Sequence, residues 1–391
     1  MSNINIGIIG IGNIGSAHAN CIANGEINGL KLCAVCDIDD GKLASFTQKY
    51  DFVKSYTDYN EFFKDEMLDA VIIAVPHPLH SEIAVKALKS DLHVLLEKPI
   101  DISVSNAQKL KNAAANSTKV FSMMLNQRTN ALFKKAREIV KGGELGELKR
   151  AGWTITNWYR TEHYYNSSGW RATWRGEGGG VLLNQAPHNL DILQWICGMP
   201  NSVTGFCNFG KYHNIEVEDE ATLYLTYDNG ATATFITSTG EYPGTNRLEI
   251  IGDLGKIVLE NGLLKWWKLD ESERSICVNS QNSVPSINTE ILEFKTDVIE
   301  WGHKQILQNF ANSILLGEEL IAPGEEGINE LMISNAAYLS EWSGNKRIDL
   351  PFDNKKFDKL LNKRIKKSVL IGNDNNDKLS KSYKDRWQVK W

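Results

Sequence analysis

Three glycines near the start of the chain follow an apolar run at a spacing that is typical of dinucleotide binding. The run Ile4 to Ile9 leads into Gly10, Gly12 and Gly15, which fit the pattern G-x-G-x-x-G between a strand and a helix. The first glycine permits a tight turn, the second lets the backbone approach a pyrophosphate, and the third allows close packing of a helix whose N-terminus faces the anion. The loop residues expected to contact the dinucleotide are Gly10, Ile11, Gly12, Asn13 and Ile14.

An acidic residue after the next apolar run indicates which dinucleotide binds. The run Leu30 to Cys36 ends in Asp37, about 20 residues beyond the last glycine, where a carboxylate can hydrogen-bond the ribose hydroxyls of NAD. Asp39 and Asp40 follow without a Lys or Arg beside them to pair with a 2′-phosphate. We therefore predict NAD rather than NADP as the cofactor; the alternative is that Asp37 is a solvated turn residue.

Length and composition exclude several classes of protein. A chain of 391 residues suits about two domains, and a net charge of −5 leaves no basic footprint for nucleic acid or an anionic membrane. No run approaches the ~20 apolar residues of a membrane span and the chain enters its first strand directly, so a cytoplasmic location is the default expectation. Cys33 and Cys36 point to opposite faces of one strand, and we expect no metal site.

The order of apolar segments predicts an α/β fold. Short apolar strands alternate with helical segments as far as residue 125, which indicates a doubly wound parallel sheet of the Rossmann type. From residue 150 strands dominate, and the turn Asp228-Asn229-Gly230 indicates a hairpin within a large, mainly antiparallel sheet.

These segments divide the chain into three expected regions. A dinucleotide-binding Rossmann domain covers 1–128, and a substrate-binding and oligomerisation α+β domain, whose late helices could pack back on the first domain, covers 129–352. A charged tail covers 353–391, and its Trp387 and Trp391 either anchor it or belong to a mobile end.

The chain carries four sequence blocks whose order and spacing are informative together. They are Gly10-Ile-Gly-Asn-Ile-Gly15, Val75-Pro-His-Pro-Leu-His80, His93-Val-Leu-Leu-Glu-Lys-Pro99 and Gly178-Gly-Gly-Val-Leu-Leu-Asn-Gln-Ala-Pro-His-Asn-Leu-Asp191. In this order they resemble the family of glucose-fructose oxidoreductase and inositol dehydrogenase (Gfo/Idh/MocA). The resemblance spans nearly residues 4–350, and it implies an NAD-dependent oxidoreductase.

Lys98 and His188 are the catalytic residues that this resemblance implies. Lys98 follows a strand, at the carboxyl edge of the sheet where such folds bind ligands, and its ammonium can stabilise a developing alkoxide. His188 is the expected acceptor of the hydroxyl proton, because imidazole titrates near neutral pH. Without the resemblance, a lone histidine among apolar residues would be interpreted as structural.

Position 184 departs from the family pattern. Many dehydrogenases of the family carry Asp four residues before the histidine, where this chain has Asn184. An amide can bond a sugar hydroxyl but cannot take part in a carboxylate proton relay. We therefore expect Asn184 to bind substrate, and the departure weakens the case for inositol dehydrogenase itself.

The segment 153–174 is rich in aromatic and polar side chains. Aromatic faces can stack on sugar rings, while Tyr and Arg can bond sugar hydroxyls. Tyr159, Arg160 and Trp174 are the expected substrate contacts. The competing interpretation is an aromatic core cluster or a subunit interface.

The resemblance implies further contacts with the cofactor. Glu97 is expected to help hold the cofactor and to orient Lys98, and His80 to pack beneath the cofactor loop. The other positions expected beside the cofactor are Val75, Pro76, His77, Asn126 and Gln127.

Together these residues predict an NAD-dependent dehydrogenase that oxidises a secondary hydroxyl of a sugar, glycoside or polyol to a ketone, or catalyses the reverse. One alternative is a glycoside-cleaving enzyme that retains NAD and acts through transient C3 oxidation and elimination. The other is a non-catalytic NAD(P)-binding regulator, which has no need of Lys98 and His188. Because an open antiparallel sheet needs one face covered, we expect a homodimer or homotetramer.

Overall fold

The computed structural model describes residues 3–296 and 302–369 of the chain. The hydrophobic core lies on two sheets that are packed against helices. This arrangement confirms the predicted fold class, a Rossmann-type parallel sheet followed by a large, mainly antiparallel sheet. Trp387 and Trp391, on which the two interpretations of the tail depend, lie outside the described residues.

The first sheet is parallel, and its six strands follow the order β3-β2-β1-β4-β5-β6. The strands are β1 (Ile4–Ile9), β2 (Leu30–Cys36), β3 (Lys54–Tyr56), β4 (Ala70–Ile73), β5 (His93–Leu96) and β6 (Phe121–Met123). The helices between them are α1 (Asn13–Ala23), α2 (Asp40–Lys49), α3 (Tyr59–Phe62), α4 (His80–Lys89) and α5 (Val104–Ala115). The strand order reverses between β1 and β4, and in open α/β sheets ligands bind beyond the carboxyl ends of the strands at such a point.

Apolar side chains on both faces explain why β1 and β4 lie at the centre of this sheet. Ile8 and Ile72 are buried on one face, and Ile9 and Ile73 are buried on the other, as expected for parallel strands that helices cover on both sides. The pairing of Ile8 with Ile72 places the ends of the two strands side by side. The loops that follow them therefore meet at one edge of the sheet.

The second sheet has nine strands in the order β14-β13-β12-β11-β7-β10-β9-β8-β15, and only β7 and β10 pair in parallel. The strands are β7 (Leu148–Ile155), β8 (Ser202–Phe209), β9 (Glu218–Thr226), β10 (Thr232–Ser238), β11 (Asn246–Gly252), β12 (Gly255–Glu260), β13 (Leu263–Leu269), β14 (Thr289–Lys295) and β15 (Ile348–Asp349). The helices are α6 (Ala131–Lys141), α7 (Glu162–Asn166), α8 (Pro187–Cys197), α9 (Glu273–Asn279), α10 (Gly302–Leu316), α11 (Gly327–Glu341) and α12 (Asn354–Lys367).

The two faces of this sheet differ in burial. Trp153 of β7 is buried, and its ring packs against Phe133 of α6 and Phe235 of β10, with centroids 5.7 and 6.3 Å away. On the opposite face, Phe206 of β8 and Tyr224 of β9 are 48% and 44% exposed. One face of the sheet therefore packs into the hydrophobic core, while aromatic side chains on the other face are partly exposed to solvent.

Helix α11 contacts the first sheet's helices. Asn335 of α11 accepts from the backbone N of Val104 at 3.1 Å and donates to the carbonyl of Ile102 at 3.2 Å. These two bonds fasten α11 to the start of α5. Among the described residues, none of the helices combines the length and the apolar character that a membrane crossing requires.

Helix α12 occupies the first part of the region that we expected to be a charged tail. The carboxylate of Asp358 accepts from the hydroxyls of Ser103 and Ser105 at 2.8 and 2.6 Å. Phe357 and Leu361 of the same helix are buried. This part of the region is therefore packed on α5 through both apolar and polar contacts.

A buried ion pair joins the turn after β6 to α8. The Nε and Nη2 atoms of Arg128 donate to the carboxylate of Asp191 at 2.8 and 2.7 Å, and both side chains are almost wholly buried. Glu326 accepts from the third guanidinium nitrogen. Since Asp191 lies about one helical turn after His188, the pair holds the helix that carries this histidine against the first sheet.

We expect Arg128→Met to lower the free energy of unfolding by about 3–5 kcal/mol, because it leaves a buried carboxylate without its ionic partner. Denaturant titration measures the change. Arg150→Met is the matched control: Arg150 is about half exposed beside Glu249, and losing such a pair costs about 0–1 kcal/mol. Equal effects of the two substitutions would contradict the structural role of Arg128.

Candidate active site

The glycine loop joins β1 to α1 and leaves backbone groups open to a ligand. Gly10 has a φ of +92°, and a Cβ there would collide with the carbonyl oxygen of Ala74. At Gly12, no described atom beyond the residue and its chain neighbours lies within 4 Å of the position that a Cβ would take, and the N-cap position of α1 has no side-chain hydrogen bond. The first N–H groups of this helix are therefore available to a pyrophosphate.

Asp37 lies against this loop at the end of β2. Its Oδ2 accepts from the backbone N of Ile11 at 2.7 Å, and its Oδ1 accepts from the backbone N of Asp39 at 3.0 Å. Lys42, which sequence reasoning missed, brings its Nζ to 3.8 Å from Asp37 and 3.6 Å from Asp39. These contacts hold the carboxylate at the edge where the family resemblance expects the ribose.

Glu97 is a buried carboxylate at the end of β5. Its Oε1 lies 2.8 Å from Nε2 of His18 on α1, a partner that sequence reasoning missed although His18 closely follows the glycines. Burial raises the pKa of Glu97, but the hydrogen bond to His18 and the nearby charge of Lys98 outweigh it, so that the pKa lies below its usual value. A negative charge is therefore held beside Lys98.

Lys98 reaches from the first sheet to a loop of the second half of the chain. Its Nζ donates to the backbone carbonyl of Asn184 at 2.6 Å. Removal from water lowers the pKa of this ammonium, against the opposing influence of Glu97. The structure thus brings Lys98 to the segment that carries Asn184 and, four residues later, His188.

His188 lies in the first turn of α8 and is 2% exposed. Burial, together with the positive charge of Lys98, holds its pKa well below the usual value. The imidazole is therefore neutral at physiological pH and able to accept a proton. Pro187 occupies the first position of α8, where its missing N–H costs no helical hydrogen bond, so the helix is regular around His188.

Sequence reasoning missed a polar network that surrounds Asn184. The phenol oxygen of Tyr164 accepts from Arg171 Nη1 at 2.7 Å, from Gln185 Nε2 at 3.1 Å and from Asn184 Nδ2 at 3.3 Å. Burial raises the pKa of Tyr164, but the charges of Arg171, Arg160 and Lys98 outweigh it and leave the pKa below its usual value. Three donors on one phenol oxygen stabilise its anionic form.

Glu177, which precedes the glycine run of the fourth block, completes this network. It is 1% exposed, and its carboxylate accepts from the backbone N of Ala172 at 2.7 Å and from Nδ2 of Asn184. Burial raises its pKa to about 6. An acidic residue beside three glycines was the only sequence signal that pointed to it.

Two histidines of the second block support the loops around this site. Nδ1 of His77 lies 3.0 Å from the carbonyl of Glu177, which links the loop after β4 to the network. His80 is buried, with its ring nitrogens 2.6 Å from the carbonyl of Pro99 and 2.8 Å from that of Val75. Its ring therefore lies between the loops that follow β4 and β5.

The remaining residues expected beside the cofactor lie near these loops. Pro76 directly precedes the short turn that contains His77. Asn126 is buried in the turn after β6, with its Nδ2 3.4 Å from Nδ1 of His303 on α10. Gln127 is the next residue of that turn and is partly exposed.

Tyr159 and Arg160 lie at the outer side of the network. The guanidinium of Arg160 lies over the ring of Tyr164 at 5.0 Å and donates to the carbonyl of Tyr159 at 2.9 Å. Tyr159 is 45% exposed, and its ring lies 5.7 Å from that of Tyr242. Arg160 is thus close to Tyr164, while the side chain of Tyr159 is accessible from outside.

Trp174 is a correction to the predicted substrate contacts. It is 6% exposed, and its ring packs against Phe209, Tyr338 and Trp342 with centroids 5.6 to 5.7 Å away. A ring enclosed in this way has no face for a sugar. For Trp174 the competing interpretation, an aromatic core cluster, is the one that the structure supports.

Comparison with known proteins supports the fold and the cofactor. The oxidoreductase family described as an NAD-binding Rossmann fold (GFO_IDH_MocA) matches residues 4–125, and the GFO/IDH/MocA C-terminal domain matches residues 133–258. The first sheet and its helices are therefore an NAD-binding Rossmann domain. The open N-terminus of α1 and the carboxylate of Asp37 fit this cofactor.

Individual relatives cover most of the chain. Myo-inositol 2-dehydrogenase from Thermotoga maritima is 24% identical over 340 residues, which are 85% of this chain and 94% of that protein. The WlbA dehydrogenase from Bordetella pertussis, solved in complex with NADH and UDP-GlcNAcA, is 24% identical with a TM-score of 0.75 over 90% of this chain and 100% of that one. Levoglucosan dehydrogenase in complex with NADH and levoglucosan is 20% identical with a TM-score of 0.72, over the same shares.

At these identities the two solved structures show the fold alone. The two family matches also support membership of the family, because they follow one another along the chain and include both the glycine loop and the segment of His188. This chain belongs to the GFO/IDH/MocA family of oxidoreductases.

Proposed function

We propose that this protein is an NAD-dependent dehydrogenase that oxidises a secondary hydroxyl of a sugar, glycoside or polyol to a ketone, and that it also catalyses the reverse reaction. One observation carries the proposal: the ammonium of Lys98 donates at 2.6 Å to the loop that leads into His188. The proposal requires a cation from the Rossmann domain and a neutral imidazole from the second half of the chain to reach one substrate hydroxyl, and the charge of Lys98 already influences His188.

We assign Lys98 and His188 different roles at the reacting hydroxyl. Bound NAD supplies the acceptor for the hydride. Lys98 stabilises the negative charge that develops on the substrate oxygen, and neutral His188 accepts the hydroxyl proton. Because burial holds the pKa of His188 well below neutrality, the imidazole is in its proton-accepting form throughout the physiological range.

The side chains that we propose for the substrate site suit a substrate with several hydroxyls. Asn184, Arg160 and Tyr159 offer an amide, a guanidinium and a phenol, and the network at Tyr164 adds further polar groups. Donors and acceptors of this kind orient a ring that carries hydroxyl groups. The name of the Thermotoga maritima relative, a dehydrogenase of myo-inositol, supports the same substrate class.

A screen of monosaccharides, inositols and aryl glycosides tests the proposal when NADH and the product ketone are both measured. Accumulation of NADH together with a ketone supports the dehydrogenase. Release of an aglycone without lasting NADH would contradict it and favour the NAD-retaining elimination, since that reaction returns its hydride to the substrate.

We expect Lys98→Met to lower kcat/KM by about 100-fold or more, the usual cost of removing one group that stabilises an oxyanion. The affinity for NADH, measured by fluorescence titration, stays within about twofold because NAD is held by the glycine loop and Asp37. Lys89→Met, at an exposed position in α4, is the control and retains full activity. Normal turnover by Lys98→Met would refute the assignment.

We expect Asp37→Ala to raise the KM for NAD about tenfold, because ribose hydroxyls lose a charged hydrogen-bond acceptor. The preference for NAD over NADP falls at the same time, since the carboxylate no longer repels a 2′-phosphate. Steady-state kinetics with both cofactors measure these changes. Asp40→Ala, at an exposed position, serves as the control, and an unchanged NAD:NADP ratio in Asp37→Ala would count against the ribose contact.

The exposed face of the nine-stranded sheet supports a homo-oligomer. Phe206 and Tyr224 lie on this face with nearly half of each side chain accessible, and a second copy can cover an open sheet face. We propose that two such faces pack together in a dimer or in a tetramer built from dimers.

Light scattering after size-exclusion chromatography is expected to give a dimer or tetramer for the unmodified chain. Tyr224→Glu increases the monomer fraction, because it buries a charge in the proposed interface. Val278→Glu, which introduces the same charge at an 81% exposed position of α9, leaves the mass unchanged. A monomeric unmodified chain is the result that would exclude the interface.

A further inference from the structure

The carboxyl of Glu177 lies beside the amide that stands where many relatives are expected to carry an acid. It is 1% exposed, yet it accepts two hydrogen bonds, from Ala172 N at 2.7 Å and from Asn184 Nδ2. Its backbone carbonyl lies 3.0 Å from Nδ1 of His77. One residue thus contacts both the loop after β4 and the side chain of Asn184.

The partners of Asn184 require its amide to be oriented in one way. An ionised carboxylate accepts hydrogen bonds and donates none, so the amide must present its nitrogen to Glu177. The other amide hydrogen is directed to the phenol oxygen of Tyr164 at 3.3 Å, which also accepts from Arg171 and Gln185. With the nitrogen committed to these two oxygens, the amide oxygen is the atom that Asn184 offers to a ligand.

We propose that Glu177 is a positioning residue which holds the amide of Asn184 so that its Oδ1 accepts a hydrogen bond from a substrate hydroxyl. Glu177 thus takes over, through Asn184, the acceptor role that a carboxylate at position 184 would fill. The inference rests on the proposed dehydrogenase, because it concerns how the same crevice binds an alcohol. Because Asn184 then offers an acceptor, Glu177 favours a substrate hydroxyl, which can donate a hydrogen bond, over a carbonyl, which cannot.

The charge of Glu177 connects this orientation to pH. Burial raises the pKa of the carboxyl to about 6, although the charge of Arg171 opposes the shift. Above that pH the carboxylate holds the amide nitrogen; below it, the protonated carboxyl carries a donor of its own and the orientation is lost. The ionisable groups that face Glu177 from the surrounding loops and from α7 are His77, Lys98, Tyr164, Tyr165 and Arg171.

Kinetics of Glu177→Gln over pH 5–9 test the inference with a polyol that the screen identifies as substrate. For the unmodified enzyme we expect kcat/KM to fall tenfold per pH unit below about pH 6. Glu177→Gln lacks this fall at acidic pH. Its kcat/KM at neutral pH is about tenfold lower than that of the unmodified enzyme, because one orienting contact is lost. The exchange Glu177→Gln with Asn184→Asp, which swaps carboxylate and amide, restores part of the plateau. Glu138→Gln is the control, since that side chain is 68% exposed on α6 beside Lys135.

A measurement on the full chain with NADH bound separates this inference from the proposed function. NMR of ¹⁵N-labelled protein follows the side-chain amide of Asn184, which is assigned from its loss in Asn184→Asp. Its signal shifts with a midpoint near pH 6 in the unmodified chain and does not shift in Glu177→Gln. An amide signal that is insensitive to pH, or an acidic limb that persists in Glu177→Gln, would overturn the inference. Absence of any dehydrogenase activity would overturn the proposed function instead, and the NMR result would still decide the role of Glu177.

Discussion

The hydrogen bond from the ammonium of Lys98 to the carbonyl of Asn184, at 2.6 Å, is the contact on which the site depends. It joins the end of a Rossmann strand to the loop that begins the helix of His188. The ion pair of Arg128 and Asp191 holds the same helix about one turn further along. Because both contacts are buried or nearly so, small displacements of α8 would break polar interactions that water cannot readily replace.

Loss of water is also the main cause of the shifted pKa values of three groups at this site. It lowers the pKa of Lys98 and of His188 and raises that of Glu177 to about 6. Each shift favours the neutral form of its group, as burial does in general. Of these three groups, Glu177 is the one whose protonation changes near pH 6, and pKa values shifted by burial and nearby charge are typical of functional sites.

Much of the architecture was predictable from local pattern. The glycine spacing and the apolar strand before it predicted the β1–α1 turn, and a positive φ at Gly10 is the physical reason that this position needs glycine. The turn at Asp228-Asn229-Gly230 predicted the antiparallel pairing of β9 with β10. Such features depend on a few neighbouring residues, so a single sequence contains enough information to identify them.

The errors and omissions concern contacts between distant parts of the chain. Trp174 was predicted to meet substrate because it lies among polar aromatic residues, but helix α11 contributes Tyr338, whose ring packs on it. Glu177 and Tyr164 were missed because their chemistry arises only where α7, the glycine run and Asn184 meet. His18 of α1 was missed for the same reason, since its partner Glu97 follows β5, far along the chain.

A crystal structure of the chain with NADH and a substrate polyol tests the central claim most directly. The account predicts that Nζ of Lys98 and a ring nitrogen of His188 both lie within about 3.2 Å of the same substrate oxygen, the reach that proton transfer requires. A substrate oxygen that contacts neither group, or contacts only one while the other faces away from the crevice, would contradict it.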